Sequence, residues 1–439
     1  MNLKQVLVLG NLSVLLTATY CYSDDSDLPV FSDNATLIGR AILPAATFAE
    51  QSTSGTHLGT GSINGVNVPF VDKQPVQGFS AVLANGDGSF LAMSDNGFGS
   101  QENSADYNLR VYTIRPDFKT KDGGSGTITV AEPFIELSDP NNLIPFAITN
   151  EFTKERVLTG ADFDIESFQK APEGTFWFGD EFGPFLLHTD AKGVLLDAPI
   201  PLPDFDNPGK EIRSPQNPFN SNTQAPFVRA KRSGGFEGMA ITPDGSKLVP
   251  LLEKQLAEIS PTEAAKISAN LPLPKRLKQN LKILLMHEFD IASKTYTGIR
   301  YKYPLDARAK AIGDFILFAP DKGLVIERDN AQGDMNAFKM IYKITLNGDG
   351  ERVDKTAVAN LLNIADPNSI SEGEVGDVGI GKTFGFPFVT IENVVVLGDN
   401  QIGVLNDNNY PFSVGRHVGS GQPDDNEFII IELDNDVLQ

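Results

Sequence analysis

The sequence predicts an all-β fold made of many short antiparallel strands. Its 439 residues include 40 glycines and 28 prolines, and short apolar runs alternate with turn pairs such as Asn85-Gly86 and Asn347-Gly348. Pairs of this kind are typical of tight hairpins, because both residues accept a positive φ. A hydrophobic fraction of 41% and a charged fraction of 21% provide for a large core and exclude disorder of the whole chain.

A repeated unit narrows this fold class to a single β-propeller. Each copy begins with a short apolar strand that carries a polar residue near its start, and a second strand follows that ends in acid or amide groups. Steps of 71 to 86 residues separate the copies, which suits four-stranded blades with long connections. Five copies are visible, and a sixth blade would fit within one of the long connections. The recurring polar positions are Ser80, Glu166, Glu237, Asp314 and Glu392.

The strands of each copy can be assigned in chain order. First strands are predicted at 78–82, 164–168, 235–239, 313–316 and 391–394, and the second strands end near 94–97, 179–181, 252–253, 327–330 and 406–409. Third and fourth strands are predicted at 109–116 and 126–137, 186–189 and 193–198, 284–290 and 296–303, and 337–346 and 351–360. Residues 427–433 form the third strand of the last copy, so we expect residues 35–43 to supply its fourth strand and close the ring.

Two segments do not follow the repeat. Residues 251–284 are rich in Glu, Ala, Lys and Leu, which predicts a short helical insertion acting as a lid or brace. Residues 1–23 combine a basic start at Lys4, an apolar run and small polar residues, the pattern of an export signal peptide. We therefore expect a periplasmic or extracellular propeller domain over 24–439, without cysteine and without an integral membrane segment. A lipid anchor on Cys21 is the alternative.

The charge of the chain favours cations as partners. Acidic residues outnumber basic ones by 57 to 36, giving a formal net charge of −21, so nucleic-acid binding is not expected. The first strands of a propeller line its channel, so the recurring polar positions should converge there. Carboxylates packed together raise one another's pKa and require a bound cation, Arg or Lys. Oxygen donors suit Ca²⁺ or another hard divalent cation, whereas the four histidines show no metal-ligand spacing.

The candidate site residues follow from this convergence. We assign catalytic roles to Glu166, Glu237 and Arg328, the last of which either orients the carboxylates or binds an anionic substrate. Taken singly, each acid beside a turn is more simply explained as a solvated loop residue, and the same alternative holds for the basic candidates. Candidate metal ligands are Asp95, Asp164, Asp180, Glu181, Glu327 and Asp329, and candidate substrate contacts are Arg229, Lys231 and His57, which is also a candidate acid or base.

Four blocks of the sequence resemble the signature of a known family. Residues 164–167, 179–184, 235–240 and 327–330 look like blocks of the phytase-like domain family, described as having esterase-like activity of phytase. The likeness extends from about residue 78 to residue 433. Ser167 stands where the family often has glycine, which puts the local backbone there in doubt. The resemblance implies an exported propeller that hydrolyses phosphoric or other esters at an acidic, cation-bearing site.

Together these observations predict an exported, metal-dependent hydrolase of a small anionic ester, with a phosphate ester as the first candidate. A calcium-dependent lactonase or carboxylesterase is the second enzymatic interpretation, and no feature of the sequence separates the two. The alternative from another class is a binding propeller whose acidic ring holds a structural calcium. In that case Glu237→Gln should alter stability only, whereas in a hydrolase it should abolish turnover.

Overall fold

Most strands of the computed structural model form antiparallel groups of four, and β2 with β5, β3 with β4 and β22 with β23 form short additional pairs. The structure describes residues 35–220, 228–257, 282–434 and 437–438. The only helical element in these ranges is a 3-10 turn, Thr56–Leu58. The strands are β1 (Thr36–Leu43), β2 (Phe48–Glu50), β3 (Ser62–Ile63), β4 (Val66–Asn67), β5 (Lys73–Pro75), β6 (Phe79–Ala84), β7 (Phe90–Ser94), β8 (Arg110–Asp117), β9 (Thr127–Glu136), β10 (Ile165–Lys170), β11 (Phe176–Asp180), β12 (Phe185–Thr189), β13 (Ile200–Pro201), β14 (Phe236–Ile241), β15 (Lys247–Leu252), β16 (Ile283–Asp290), β17 (Thr295–Pro304), β18 (Ala311–Leu317), β19 (Lys322–Arg328), β20 (Lys339–Thr345), β21 (Asp354–Asn360), β22 (Ile364–Ala365), β23 (Thr383–Phe384), β24 (Thr390–Gly398), β25 (Gln401–Asp407) and β26 (Asn426–Glu432).

The groups follow the predicted repeat. Sheet one contains β6 to β9, sheet two β10 to β13, sheet three β14 to β17, sheet four β18 to β21, and sheet five β24, β25, β26 and β1. Their first strands contact one another in the order β6, β10, β14, β18, β24 and back to β6, so they surround a central channel. This arrangement confirms the prediction of an all-β propeller. The strand predicted at 193–198 forms only in part: Val194 and Leu195 make isolated bridges, with Leu195 antiparallel to Thr189 of β12, and β13 begins at Ile200.

The N-terminal strand completes the last sheet, as predicted. Strand β1 pairs with β26 in antiparallel register from Thr36 opposite Glu432 to Leu43 opposite Asn426. On its other side Ile42 pairs with Thr127 of β9, which connects sheet five to sheet one. Closure in this way pairs the edge that β26 would otherwise expose.

Both segments that depart from the repeat fall largely outside the described residues. Of the predicted helical insertion, Leu251 and Leu252 belong to β15 and Ile283 begins β16, while 258–281 lies outside the described ranges. The export signal predicted over 1–23 lies outside them entirely. In the described part of the chain, no helix is long and apolar enough to cross a membrane.

Apolar clusters between neighbouring sheets hold the sheets together. Each of the five junctions between neighbouring sheets contains large side chains that are at most 1% exposed. Burial of one such side chain stabilises the fold by about 1.5–3 kcal/mol. The sheets are therefore fixed relative to the channel by packing on both faces. Representative residues, from the junction of sheets one and two onward, are Phe168, Trp177, Phe315, Ile391 and Phe428.

Candidate functional site

The same irregularity occurs near the start of every first strand. In each sheet the pairing between first and second strand shifts by one residue, leaving one residue of the first strand out of the ladder. A bulge of this kind re-aims the side chain of the extra residue, and here four of the five side chains are polar. The bulged residues are Ser80, Glu166, Glu237, Gly313 and Glu392.

Sheet four departs from the predicted ring, because its bulged residue is Gly313 and not Asp314. The carboxylate of Asp314 instead accepts hydrogen bonds from the backbone N–H groups of Phe315 and Val394, at 2.7 and 2.8 Å. A Cβ atom on Gly313 would lie 2.0 Å from the carbonyl oxygen of Ile391, so no side chain fits there. Sheet four therefore contributes no carboxylate at the bulge.

The ends of the second strands supply the second set of side chains at this end of the channel. The backbone N–H groups of Asp95, Glu181 and Glu253 donate to carbonyl groups at the start of the adjoining first strand, at 2.8 to 2.9 Å. By strand register the equivalent residues of sheets four and five are Arg328 and Asp407. Sheet four thus places a guanidinium where the other four sheets place a carboxylate.

Five carboxylates from sheets two and three come into direct contact. One oxygen from each of Asp164, Glu166 and Glu181 lies within 4.8 Å of the other two. The same is true of Glu181, Glu237 and Glu253, so Glu181 belongs to both triads. We call these five residues the acidic cluster. The carboxylates of all five are buried, although Glu166 as a whole residue is half-buried.

Burial and mutual repulsion raise the pKa values at this end of the channel. Burial, followed by the charges of neighbouring carboxylates, raises the pKa of Glu166, Glu181 and Glu237 well above the usual range. Burial also raises the pKa of Asp164 to about 6. Asp95, on the sheet-one side, has a raised pKa because it is buried near Asp407 and Asp164. Without added positive charge, these groups would keep protons that a solvated carboxyl group loses.

Arg328 supplies positive charge on the side of sheets four and five. Its Nη2 atom lies 3.1 Å from Glu392, 3.6 Å from Glu237 and 3.9 Å from Glu253. Ser80 donates a further hydrogen bond of 3.1 Å to Glu392. The carboxylate of Glu392 is therefore partnered twice, and the charge that remains uncompensated lies toward sheets two and three.

Unpartnered oxygens in the acidic cluster fit a hard cation. Oε1 of Glu181 and Oε1 of Glu237 are buried and accept no hydrogen bond, and each residue is only 4% exposed. Leaving such groups without a partner is costly, and carboxylate oxygens are the donors that Ca²⁺ prefers. Elsewhere in the cluster, Asn96 donates to Asp164 at 2.7 Å and Lys254 lies 2.5 Å from Glu253. The donor set therefore fits Ca²⁺ or another hard divalent cation.

Asp180 and Glu327, two predicted metal ligands, point away from the cluster. Adjacent residues of a strand face opposite sides, and each of them directly precedes a residue that faces the channel. Asp180 accepts hydrogen bonds from the backbone N–H groups of Asp164 and Gly183, at 2.9 and 2.7 Å. Glu327 accepts a hydrogen bond of 2.7 Å from Tyr303 and forms an ion pair with Lys355.

Asp329, Arg229, Lys231 and His57 also lie apart from the acidic cluster. Asp329 accepts a hydrogen bond of 3.0 Å from the backbone N–H of Phe338 and forms an ion pair with Lys339 of β20. Arg229 is buried against two aspartates, at 2.5 and 3.2 Å. Lys231 is exposed on a loop, and His57 is exposed in the 3-10 turn. The structure thus brings together Asp95, Asp164, Glu166, Glu181, Glu237 and Arg328 of the predicted residues, and adds Glu253, Lys254, Glu392 and Asp407.

The opposite end of the channel is apolar. A cavity of about 360 Å³ lies there between the later parts of the first strands, lined mainly by aliphatic side chains. The carboxylates of the acidic cluster therefore lie at the other end, where the first strands begin. Lining residues include Val82, Ile241, Ile316 and Val394.

Fold and site define a β-propeller with an acidic cluster at one end of its channel. Residues 74–410 match the phytase-like family, described as esterase-like activity of phytase. The chain belongs to this family, which confirms the resemblance seen in the sequence.

One curated relative and several solved structures are similar to parts of the chain. An uncharacterized secreted protein from Arthroderma benhamiae is 30% identical over an alignment of 102 positions, which covers 21% of this chain and 20% of the relative. The chain thus matches about a fifth of that relative's length.

The similar solved structures share little sequence with this chain. A luciferin-regenerating enzyme is 11% identical, with 91% of this chain and 96% of that chain covered and a TM-score of 0.34. A thermostable family-43 glycoside hydrolase is 8% identical, with 83% and 95% covered and a TM-score of 0.37. Similarity at this level carries no argument about activity.

Proposed function

We propose that this protein is an exported, metal-dependent hydrolase of small anionic esters, with phosphate esters as the first candidates. The observation that carries the proposal is the pair of buried, unpartnered oxygens on Glu181 and Glu237 within a cluster of five carboxylates. Membership of the phytase-like family supports ester hydrolysis. Export to the periplasm or the exterior is supported by the pattern of residues 1–23 and by the secreted relative.

The acidic cluster would hold the divalent cation. When bound, the cation supplies positive charge that attracts an anionic ester and polarises the bond to be broken. A protein with a net charge of −21 needs such local charge reversal before an anion can approach. Asn96 and Lys254 keep Asp164 and Glu253 in place, so the ligand oxygens are held before the cation binds.

Glu166 is positioned to act as the general base. Of the five cluster residues it has the most exposed surface, which suits a group that takes a proton from an attacking water. Glu237 lies between Glu166 and Arg328 in the order of the sheets and orients the guanidinium at 3.6 Å. Arg328 has a buried Nε–H without a partner, which can stabilise negative charge that develops on the substrate.

The test measures hydrolysis of a phosphomonoester, a phosphodiester, phytate, an aryl acetate and a lactone, with added calcium or with a chelator. We expect chelator-sensitive turnover of a phosphate ester. Glu166→Gln should lower kcat by about 10²–10⁴-fold while the melting temperature is retained. Glu374→Gln, at an exposed glutamate, is the matched control and should keep full turnover. Turnover that survives both the chelator and Glu166→Gln would refute the proposal.

The same panel separates the alternatives. Chelator-sensitive turnover of the lactone or aryl acetate alone would identify a calcium-dependent lactonase or carboxylesterase. A binding propeller with a structural calcium is favoured by one observation, the burial of the cluster carboxylates. That alternative predicts thermal stabilisation by calcium with no turnover of any ester.

A further inference from the structure

We propose that the acidic cluster holds two adjacent divalent cations that share the carboxylate of Glu181. This inference rests on the cation-binding part of the proposed function and does not depend on which ester is hydrolysed. The first cation would lie between Asp164, Glu166 and Glu181. The second would lie between Glu181, Glu237 and Glu253.

The spacing of the oxygens separates the two positions. Two oxygens bound to one Ca²⁺ can be no more than about 5 Å apart, because each Ca–O distance is about 2.3–2.6 Å. Each triad meets this limit with its oxygens within 4.8 Å, whereas the five carboxylates do not form one such group. Glu181 joins the triads because it directly follows β11, which packs against β14 of sheet three. One ion therefore cannot use all five residues.

The unpartnered oxygens lie where a shared ligand and a second cation are required. Oε1 of Glu181 belongs to the residue common to both triads, and Oε1 of Glu237 belongs to the second triad. Both side chains are more than nine-tenths buried. In the first triad, by contrast, Asp164 already has Asn96 as a hydrogen-bond donor. A cation between Asp164, Glu166 and Glu181 alone would leave Oε1 of Glu237 without a hydrogen-bond donor, since Nη2 of Arg328 stays 3.6 Å away.

The charge balance also favours two cations. In the described part of the chain, eight carboxylates meet at this end of the channel, with two cationic side chains among them. One divalent cation would leave four formal negative charges uncompensated, and a second would reduce this to two. In sheet four, Arg328 occupies the position that Glu181 and Glu253 occupy in sheets two and three. Both divalent ions are therefore confined to the side of sheets two and three. The carboxylates are Asp95, Asp164, Glu166, Glu181, Glu237, Glu253, Glu392 and Asp407, and the cations are Lys254 and Arg328.

Calorimetric titration of the chelator-treated full chain with CaCl₂ tests the stoichiometry. We expect two calcium ions per wild-type chain. Glu166→Gln and Glu253→Gln should each retain one, whereas Glu181→Gln should weaken both sites by at least about tenfold, because it alone belongs to both triads. Glu374→Gln, at an exposed position, should retain both. Circular dichroism without calcium checks that each variant is folded, and Glu181→Asp replaces Glu181→Gln if the latter does not fold.

Each outcome decides the proposal. Two ions in the wild type, one in each single-triad variant and at least about tenfold weaker binding at both sites in Glu181→Gln support it. A single ion in the wild type overturns it, and chelator-sensitive ester turnover in that same preparation would leave the proposed function standing. Two ions without any turnover would support the inference and refute the hydrolase. Wild-type affinity at one site in both Glu181 variants would show that Glu181 is not shared and overturn the proposal.

Discussion

At the scale of single residues, Arg328 determines how charge is distributed in the channel. Its guanidinium approaches carboxylates on both neighbouring sheets, and it is only 8% exposed. Removing one partner of a buried ion pair costs more free energy than the intact pair contributes, because the remaining charge stays buried without compensation. Arg328 therefore contributes to stability through the carboxylates that it partners.

Arg328→Met should lower the free energy of unfolding by about 3–5 kcal/mol at pH 9.5 without calcium, where Glu392 is mostly ionised in the wild type. The loss should be smaller at pH 5.5, because burial raises the pKa of its partner Glu392 to about 8 and that group is then protonated. Urea midpoints of wild type and variant at both pH values measure this. Arg115→Met, at a side chain that is 53% exposed, is the control and should change stability little at either pH. Equal losses in the two variants would contradict the prediction.

The sequence predicts some site residues and misses others for one physical reason. Recurrence in the repeat identifies Glu166 and Glu237, because equivalent positions of a propeller converge. It cannot decide between adjacent acids such as Asp180 and Glu181, since strand register determines which of them faces the channel. The same ambiguity placed Glu327 in the site, although the residue that faces the channel is its neighbour Arg328.

At the scale of elements, the five bulges adapt the first strands to the site. Sheet four carries glycine at the bulge because β24 passes directly beside it. A Cβ on Gly313 would lie 2.0 Å from the carbonyl oxygen of Ile391 and 3.4 Å from Cα of Glu392. This close approach brings Glu392 within reach of Arg328. The bulge is therefore both a packing feature and a determinant of the ion pair.

Gly313→Ala should destabilise the protein by about 1–3 kcal/mol, because the added methyl group forces β24 away from β18. Gly348→Ala is the matched control, since the nearest atom to its Cβ would be 3.8 Å away, and it should change stability by less than about 0.5 kcal/mol. Chemical denaturation of both variants measures the difference. A Gly313→Ala variant as stable as the control would show that β24 can shift freely.

Strand assignment from the sequence is accurate where burial dictates it. The first strands are buried between two sheets, and β10 and β14 begin within one residue of the predicted 164 and 235. The outer strand of sheet two is different, because its position depends on a turn. Gly193, at φ 87°, belongs to the turn that follows β12, and β13 begins only at Ile200. Hydrophobic pattern alone does not fix such an edge strand.

At the scale of the whole molecule, a buried ion cluster joins the two ends of the chain. Nε of Arg40 in β1 lies 2.8 Å from Glu427 in β26, and Nε of Arg416 lies 2.7 Å from the other oxygen of the same carboxylate. All three residues are at most 5% exposed. The sequence predicts the closing strand, because the last copy lacks a fourth one. It does not predict the pair of Arg40 and Glu427, which are 387 positions apart.

Glu427→Gln should destabilise the closed ring by about 3–5 kcal/mol at pH 7, because two buried guanidinium groups lose their carboxylate. Burial acts to raise the pKa of Glu427, but Arg40 and Arg416 together hold this pKa far below its usual value. Since the folded-state pKa is depressed, the stabilisation is complete above about pH 4.5 and decreases as the pH falls below it. The difference in urea midpoint between wild type and variant should therefore be constant from pH 7 to pH 5 and shrink at pH 3.5. Glu432→Gln, at the exposed end of the same strand, should cost less than about 0.5 kcal/mol throughout. A Glu427→Gln variant with the same urea midpoint as the Glu432→Gln control would mean that β1 closes the propeller by strand pairing alone.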